Sequence, residues 1–355
     1  VRRMKGPAGT KVKVTVKRDG EVIPFEITRG KIPMHSVDAA FMTSATDGYV
    51  RVSKFSRSTY EEFVKAIAGL RAQGMEHLVV DLRDNSGGYF DQALMMSNLF
   101  LPKDSLIVFL EGRKRAREDY RADGRGPYQD LPVSLLINEG SASSSEIFAG
   151  ALQDNHRATI VGRRSFGKGL VQEPINFTDG SGIRLTVARF HTPSGRCIQK
   201  PYTEDYAFEV YKRYAGSEMV QKDSMKIENG GIIPDVFVPL DTTRASDFYI
   251  KCNKKASALR FASHYFDKHH AELSAIDDYA QLLDYLDRAE LDKQFLQFVK
   301  KTDGLVPKKG EWEDSKDYMM TQIRALVGRY SALSDNAFYH IYLSIDETFA
   351  AAVKQ

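Results

Sequence analysis

Between residue 31 and about residue 242, short apolar segments with strand character alternate with segments of helical periodicity. The strand-like segments are Gly48–Val52, His77–Leu82, Ser105–Leu110, Val133–Ile137, Ala158–Val161, Leu170–Phe177 and Ile183–Arg189. The helix-like segments are Thr59–Ala72, Phe90–Leu99 and Ser144–Asp154. Strands that alternate with helices of about 10–15 residues are typical of an α/β domain. The sequence therefore predicts α/β architecture for this part of the chain.

The region before this domain has the pattern of a β-hairpin. Alternating valines at Val12–Val16 precede the turn residues Asp19-Gly20, and a second apolar strand begins at Val22. An isolated hairpin cannot bury an apolar face. We therefore expect it to belong to a larger unit.

The region after residue 243 has few residues that interrupt helices. Only three of the 26 glycines and one of the 12 prolines lie there. Helical periodicity is clear at Tyr279–Leu286, Leu291–Val299 and Tyr318–Tyr330, with a loop predicted at Pro307–Gly310. We predict a helical domain over residues 243–355.

Charge and cysteine content exclude several classes of protein. The 50 basic and 47 acidic residues leave a net charge of +3, so nothing favours nucleic acid or an anionic membrane as a partner. No apolar run approaches the roughly 18 residues that span a bilayer. With two cysteines, Cys197 and Cys252, a disulfide scaffold is excluded. We expect two buried free thiols, one bridge being the alternative.

The segment from Asn138 to Glu146 lies between a predicted strand and a predicted helix and contains four serines. A serine at such a junction lies close to backbone N–H groups that can stabilise an oxyanion, so Ser143 is a candidate nucleophile. Ser143 and Glu146 also match a capping box. The segment alone favours the capping interpretation.

The glycine-rich segment Gly162–Gly169 suggests two motifs that fail on inspection. It fits the phosphate-loop pattern G-x-x-x-x-G-K, but Gly169 replaces the metal-binding Ser or Thr and a strand follows instead of a helix. Ser165 and Lys168 fit S-x-x-K, and Ser334–Asn336 reads S-D-N, but the K-T-G of penicillin-binding enzymes is missing. We interpret both matches as coincidence.

Lys168 is alternatively a general base. An amine accepts a proton only when neutral, and burial lowers the pKa of a lysine. Gln172 would face the same side of the following strand and could orient the amine. The residues alone still favour a surface lysine. Since the histidines show no H-E-x-x-H motif, a zinc protease is disfavoured, whereas a triad that uses His156 or His191 stays open.

Seven blocks, in one order, carry a resemblance to a known family, the carboxyl-terminal processing or tail-specific serine proteases, which use a Ser–Lys dyad. The resemblance covers about residues 1–242 and is specific because all the blocks are in register. The blocks are Asp47–Val52, Asp81–Gly88, Gly140–Glu146 with Ala149–Asp154, Phe166–Gln172, Asp179–Ser181, Thr192–Arg196 and Gly230–Asp235.

The resemblance implies a catalytic role for three side chains. Ser143 matches the nucleophile, Lys168 the general base and Gln172 the residue that orients the lysine. Asp154 matches an acidic position whose role varies, and we treat it as structural.

The resemblance also implies an oxyanion hole. Its donors would be the backbone N–H of Ser144 and that of a glycine in the Asp81–Gly88 block, with Gly88 preferred to Gly87. Ser144 stands where alanine is common, and only its N–H group is needed.

The family fold implies three regions. Residues 1–30 would be the C-terminal remnant of a PDZ domain, with Arg2–Gly9 as its glycine-rich end, and residues 31–242 a ClpP/crotonase-like protease core. Residues 243–355 would be the α-helical C-terminal domain. Because the carboxylate-binding loop of the PDZ domain is missing from the chain, we expect it to have lost anchoring of substrate tails.

The implied function is a serine endopeptidase that cuts protein or peptide substrates near non-polar C-termini and needs neither metal nor cofactor. A catalytically silent peptide-binding scaffold with the same fold is the alternative. The resemblance further implies an extracytoplasmic location, in the periplasm or cell envelope of a bacterium, and leaves room for a homo-oligomer.

Overall fold

The computed structural model describes residues 3–18, 20–31, 35–200, 230–241 and 245–355. The predicted turn residue Asp19, Arg2 of the PDZ-like segment, and the predicted boundary between residues 242 and 243 lie outside these ranges. The chain divides into two compact units, Val1–His35 and Ser36–Gln355.

The first unit is the predicted hairpin. Strands β1 (Lys11–Arg18) and β2 (Glu21–Thr28) pair in antiparallel register. Apolar side chains on β2, including Val22 and Phe25, remain exposed. The hairpin therefore presents an apolar surface that it cannot bury by itself.

The second unit contains a six-stranded sheet that carries the centre of the core. Its strands are β3 (Val37–Met42), β4 (Asp47–Val52), β5 (His77–Asp81), β8 (Val133–Ile137), β9 (Thr159–Gly162) and β12 (Val236–Phe237). Their order is β12-β9-β8-β5-β4-β3, and all neighbours are parallel except the antiparallel edge pair β3 and β4. Every residue of β8 is buried, as expected for a parallel strand that is covered on both faces.

A second, four-stranded antiparallel sheet lies in the same unit. Its strands are β6 (Leu106–Gly112), β7 (Arg115–Arg121), β10 (Leu170–Asn176) and β11 (Gly182–His191), in the order β10-β11-β6-β7. All seven strands predicted from the α/β region are confirmed. The missed strands, β3, β7 and β12, have mixed, strongly charged or very short sequences.

One face of the six-stranded sheet is covered by the three helices that the sequence predicted. They are α1 (Thr59–Ala72), α2 (Phe90–Asn98) and α3 (Ser144–Asp154). Phe63 of α1 and Phe148 of α3 meet edge to face, with ring centroids 6.3 Å apart. Val50 and Val80 of the sheet belong to the same apolar cluster.

The C-terminal region is helical, as predicted. Its helices are α4 (Asp247–Lys254), α5 (Ser257–Ala275), α6 (Tyr279–Arg288), α7 (Leu291–Asp303), α8 (Glu311–Gly328), α9 (Asp335–Tyr342) and α10 (Glu347–Ala352). The predicted loop Pro307–Gly310 lies between α7 and α8. Cys197 and Cys252 are buried and are not bridged to each other, which agrees with the expectation of two thiols. Among the helices in the described ranges, none has the length and apolar character needed to cross a membrane.

The last helices cover the opposite face of the six-stranded sheet. Tyr49, Val79 and Leu136 form one buried cluster with Leu343 and Ala352. These sheet residues alternate with those that face α1–α3, because successive side chains of a strand point to opposite faces. The C-terminal segment therefore completes the core of this unit.

An ion network joins the central sheet to this C-terminal segment. Asp81 is fully buried at the end of β5, 2.6 Å from Arg83 and 3.1 Å from Arg51, and it accepts a hydrogen bond from Tyr49. Burial opposes ionisation, but the charges of Arg83 and Arg51 outweigh it and hold the pKa of Asp81 well below its ordinary value. Arg83 also contacts Asp346 at 2.6 Å.

Asp346 in turn caps α10. Its Oδ1 accepts hydrogen bonds from the backbone N–H groups of Thr348 at 2.9 Å and Phe349 at 3.0 Å. Arg83 thus connects the end of a central strand to the first turn of the last helix.

We predict that Arg83→Leu lowers the free energy of unfolding by about 3 kcal/mol, because it leaves a buried carboxylate with one cation instead of two. Urea unfolding of the full chain measures the loss. The matched control is Arg125→Leu: the Arg125 side chain is 85% exposed and pairs with Asp123 at the surface, so its loss should cost less than about 1 kcal/mol. Equal losses in the two variants would contradict the prediction.

Candidate active site

Three turns meet at one edge of the six-stranded sheet. They follow β5, β8 and β9, which are parallel neighbours in the order β9-β8-β5. The carboxyl ends of parallel strands share an edge, and that edge is where ligands bind in open α/β sheets. The turns contain the residues that the sequence assigned to an oxyanion hole, a nucleophile and a general base, whereas Gln172, which was assigned to orient the base, lies in β10.

Ser143 begins helix α3 in an unusual backbone conformation, with φ +56° and ψ −114°. A positive φ is uncommon for a residue with a side chain and is maintained only where the surroundings enforce it. Ser143 and Glu146 occupy the two positions of a capping box. The carboxylate of Glu146 accepts a hydrogen bond from Ser143 N–H at 2.7 Å.

The neighbours of Ser143 fasten this turn to the turn after β5. Ser141 Oγ donates to the carbonyl oxygen of Leu82 at 2.8 Å. The backbone N–H of Ala142 and the hydroxyl of Ser145 both donate to the carbonyl oxygen of Asn85, each at 2.9 Å. These three bonds account for the enforced conformation of Ser143.

The predicted oxyanion donors lie on the two linked turns. Within the described part of the chain, the N–H groups of Gly88 and Ser144 donate to no acceptor, whereas Gly87 N–H donates to Asn85 Oδ1 at 2.9 Å. The Ser144 hydroxyl donates to the carbonyl oxygen of Gly88 at 3.1 Å. The Ser144 side chain, which the sequence analysis did not require, thus links the start of α3 to the turn after β5.

Glu146 joins the turn after β8, which contains Ser143, to the turn after β9, which contains Lys168. Its carboxylate is fully buried and accepts four hydrogen bonds: from Ser165 Oγ and Gly167 N–H at 2.6 Å each, from Ser143 N–H at 2.7 Å and from Lys168 N–H at 2.9 Å. Burial raises the pKa of Glu146 above its ordinary value, and these four hydrogen bonds oppose the rise.

Glu146 links the backbones of Lys168 and Ser143, but among the described residues Lys168 Nζ makes no hydrogen bond to Ser143 Oγ. The Lys168 side chain is exposed, and Nζ makes no hydrogen bond or ion pair with any residue in the described ranges. Gln172 is also exposed and donates to Thr186 Oγ1 at 3.5 Å. A register shift between Val171 and Gln172 interrupts the alternation from which we expected Gln172 to face Lys168.

Neither histidine that the sequence left open contacts the candidate nucleophile. His191 stacks on Phe109 with ring centroids 4.7 Å apart, and burial lowers its pKa. Neither His156 nor His191 hydrogen bonds to Ser143 in the described part of the chain. Across those same residues, His, Cys, Asp and Glu side chains form no group that could hold a metal ion.

Comparison with known proteins finds a similarity to one peptidase family. The model of peptidase family S41 matches residues 47–208, which include all three turns. Residues 47–208 are thus similar to this peptidase family. A family of unknown function, DUF8443, matches residues 248–331.

Two curated relatives share the matched region. The carboxyl-terminal-processing protease of Synechocystis sp. is 41% identical over 203 residues, which are 56% of this chain and 47% of that protein. A probable CtpA-like serine protease of Staphylococcus epidermidis is 38% identical over 200 residues, 56% of this chain and 40% of that protein. The chain thus spans about half the length of these relatives.

A solved structure also aligns with the chain. The photosystem II D1 C-terminal processing protease is 30% identical, with a TM-score of 0.47, over 66% of this chain and 57% of that one.

The packing of the turns predicts that Gly87 tolerates no side chain. A Cβ there, at φ +93°, would lie 2.7 Å from Ala142 O and 2.8 Å from Ser143 Cβ. Gly180, at φ +85°, has open space and is the matched control. We expect Gly180→Ala to cost about 1–2 kcal/mol of unfolding free energy from its φ alone, and Gly87→Ala about 2 kcal/mol more from overpacking. Urea unfolding compares them, and equal costs would refute the clash.

Proposed function

We propose that the chain is a serine endopeptidase in which Ser143 and Lys168 act as a dyad. Neutral Lys168 Nζ takes the Ser143 hydroxyl proton as Oγ attacks the scissile carbonyl carbon. The N–H groups of Gly88 and Ser144 stabilise the tetrahedral oxyanion. The Lys168 ammonium then protonates the leaving amine, and water hydrolyses the acyl-enzyme. None of these steps needs a metal or cofactor.

The observation that carries this proposal is the pair of unengaged N–H donors beside a strained serine. Both donors lie on segments that contact Ser143: a Cβ on Gly87, which precedes Gly88, would touch Ser143 Cβ and come within 2.9 Å of Ser144 N. Donors that are held in place before the reaction stabilise developing charge without reorganisation.

The dyad requires Lys168 to turn its side chain towards Ser143. The backbone N–H groups of both residues bond to the same oxygen of Glu146, so rotation about side-chain bonds suffices and the main chain stays in place. Gln172 would then hold the amine after breaking its long hydrogen bond to Thr186. We propose that bound substrate, which shields the lysine from water, favours this rotamer.

Strand β10 offers a place for the substrate backbone. It is an edge strand of the antiparallel sheet and begins at Leu170, two residues after Lys168. An edge strand presents unpaired N–H and C=O groups, to which an extended peptide can add as a further strand. Pro174 has no N–H group, so pairing would concentrate on the first half of β10.

Non-polar substrate tails find a matching surface on the β10–β11 hairpin. Ile175 and Ile183 are cross-strand partners, and both are exposed. We propose that this patch contacts non-polar residues of the tail.

We further propose the wider context that the family resemblance implied. Residues 1–30 would be part of a PDZ domain, which is supported by the exposed apolar side chains of the hairpin. Residues 31–242 would be a ClpP/crotonase-like core and residues 243–355 the helical domain. An extracytoplasmic location rests on the resemblance alone.

The alternative is a catalytically silent peptide-binding scaffold. The exposed Lys168 side chain, which lacks a hydrogen-bond partner among the described residues, favours it. The two functions differ in whether the wild-type chain turns over substrate or only binds it.

Peptide hydrolysis tests the dyad. We expect Ser143→Ala and Lys168→Ala each to lower kcat at least about 1000-fold on a fluorogenic peptide with a non-polar C-terminus, because each variant removes a reacting group. Ser274→Ala and Lys65→Ala are the controls, since both side chains are exposed and lie on helices outside the three turns. Wild-type rates in Ser143→Ala would overturn the proposal. Binding without turnover by the wild-type chain would favour the scaffold.

Tail preference is tested with two peptides that differ only in their last three residues, apolar in one and acidic in the other. We expect Ile183→Ser to lower kcat/KM for the apolar peptide about tenfold, because it removes a contact worth about 1–2 kcal/mol. The control is Leu259→Ser on α5, a side chain of similar exposure, 51% against 50%. If Ile183→Ser leaves the ratio of kcat/KM between the two peptides unchanged, the patch does not contact the substrate tail.

A further inference from the structure

Glu146 makes more contacts than a helix cap requires. In a capping box the third helical residue accepts one hydrogen bond, from the N-cap N–H. Oxygen Oε2 of Glu146 accepts that bond from Ser143 and a second one from Lys168 N–H, while Oε1 accepts bonds from Gly167 N–H and Ser165 Oγ. Three of the four bonds thus go to the turn after β9.

This arrangement costs free energy. A buried carboxylate without a counter-ion is strongly disfavoured. No cation pairs with Glu146 in the described residues, and all four of its partners are neutral donors. An apolar side chain at this position would avoid that cost, but it would leave the four donors buried without their acceptor.

Ser165 extends the connection to another part of the chain. Its hydroxyl donates to Glu146 at 2.6 Å and accepts from Ile232 N–H at 2.6 Å. The backbone N–H of Ser165 also donates to Ile232 O at 3.0 Å. The serine is buried, with 1% of its surface exposed. A series of hydrogen bonds therefore runs from the segment before β12 to the two dyad residues.

We propose that Glu146, held by Ser165, is a positioning residue that fixes the backbone of Lys168 relative to that of Ser143. This role rests on the proposed peptidase function. A displacement of about 1 Å between reacting groups can cost about 100-fold in rate. One carboxylate oxygen that binds both N–H groups prevents such a displacement whichever rotamer the lysine side chain adopts.

Glu146→Gln tests this role with nearly unchanged volume. An amide has one acceptor oxygen, so its NH2 group must face either Gly167 N–H or the N–H groups of Ser143 and Lys168, and in both cases at least one bond to the turn after β9 is lost. We expect kcat per active site to fall about 100-fold while KM stays within about threefold. Glu146→Asp keeps the charge but is one methylene too short to reach both turns, and should not rescue the rate.

The matched control is Glu62→Gln. Glu62 also fastens a backbone segment to a helix, since its Oε2 accepts from Ser36 N–H at 2.7 Å and Val37 N–H at 3.0 Å, but that segment lies outside the three turns. We expect it to lose stability and to keep its kcat per site.

Active sites are counted by labelling with a serine-reactive fluorophosphonate, so that partial unfolding is not mistaken for a loss of rate. If Glu146→Gln lowers only the labelled fraction and leaves kcat per labelled site unchanged, Glu146 is merely structural and the proposal is overturned. Ser165→Ala should lower kcat about tenfold. The double variant should be no slower than Glu146→Gln alone, because both changes break one connection.

Hydrogen exchange gives a readout that does not depend on turnover. In the wild-type chain the amides of Ser143, Gly167 and Lys168 should be protected, and in Glu146→Gln all three should exchange faster together. Retained protection at Gly167 and Lys168 would overturn the link. If the wild-type chain shows no turnover, the proposed function fails, and exchange still decides whether Glu146 joins the two turns.

Discussion

The six-stranded sheet must be covered on both faces, and much of the structure follows from that requirement. Its parallel strands are too apolar to face water on either side, so α1–α3 pack on one face and the last helices on the other. Because β5, β8 and β9 are parallel neighbours, their carboxyl ends share one edge of the sheet. The turns that follow these strands therefore lie next to one another. The candidate site is therefore assembled by sheet topology, although its three parts lie far apart in sequence.

Two buried carboxylates at this edge solve the same electrostatic problem in opposite ways. Asp81 is paired with Arg51 and Arg83, and its pKa is lowered, so the stability it contributes is present above its ordinary pKa and is lost as the pH falls. Glu146 has only neutral donors and its pKa is raised, so its contribution is fully present below its ordinary pKa of 4.5 and is lost as the pH rises. The first arrangement is what stability alone favours. The arrangement at Glu146 suits a carboxylate whose task is to accept hydrogen bonds from backbone N–H groups of two different turns.

Sequence patterns predicted this fold well where packing acts locally. Apart from β3, β7 and β12, the strands of the described residues and the first three helices follow from sequence patterns, and the ends of α1 and α3 agree with the predicted residues. The charged strand β7 was missed because its stability comes from pairing with β6 rather than from its own residues. The packing of Leu343 and Ala352 on the sheet is a long-range contact that no local pattern encodes.

The contacts of Glu146 are likewise long-range: its spacing from Ser143 identified a capping box, whereas its bonds to residues 165–168 arise only when two turns meet. The rotamer of Lys168 is likewise set by surroundings that periodicity does not describe, and the bulge at Gln172 breaks the alternation on which we relied.

Strain alone does not identify the nucleophile. Ser334 begins α9 with φ +53° and ψ −128°, almost the conformation of Ser143, and both serines lead sharply into a helix. At Ser334 the sharp entry has a packing purpose, because Asn336 then reaches the edge strand β3 and accepts a hydrogen bond from Ala40 N–H at 2.9 Å. At Ser143 the same entry brings the candidate nucleophile against Gly87, which precedes the unengaged N–H of Gly88, and lets its own N–H donate to a buried carboxylate. A strained serine thus marks an abrupt turn into a helix, and it is the polar groups around it that distinguish a packing device from a reactive site.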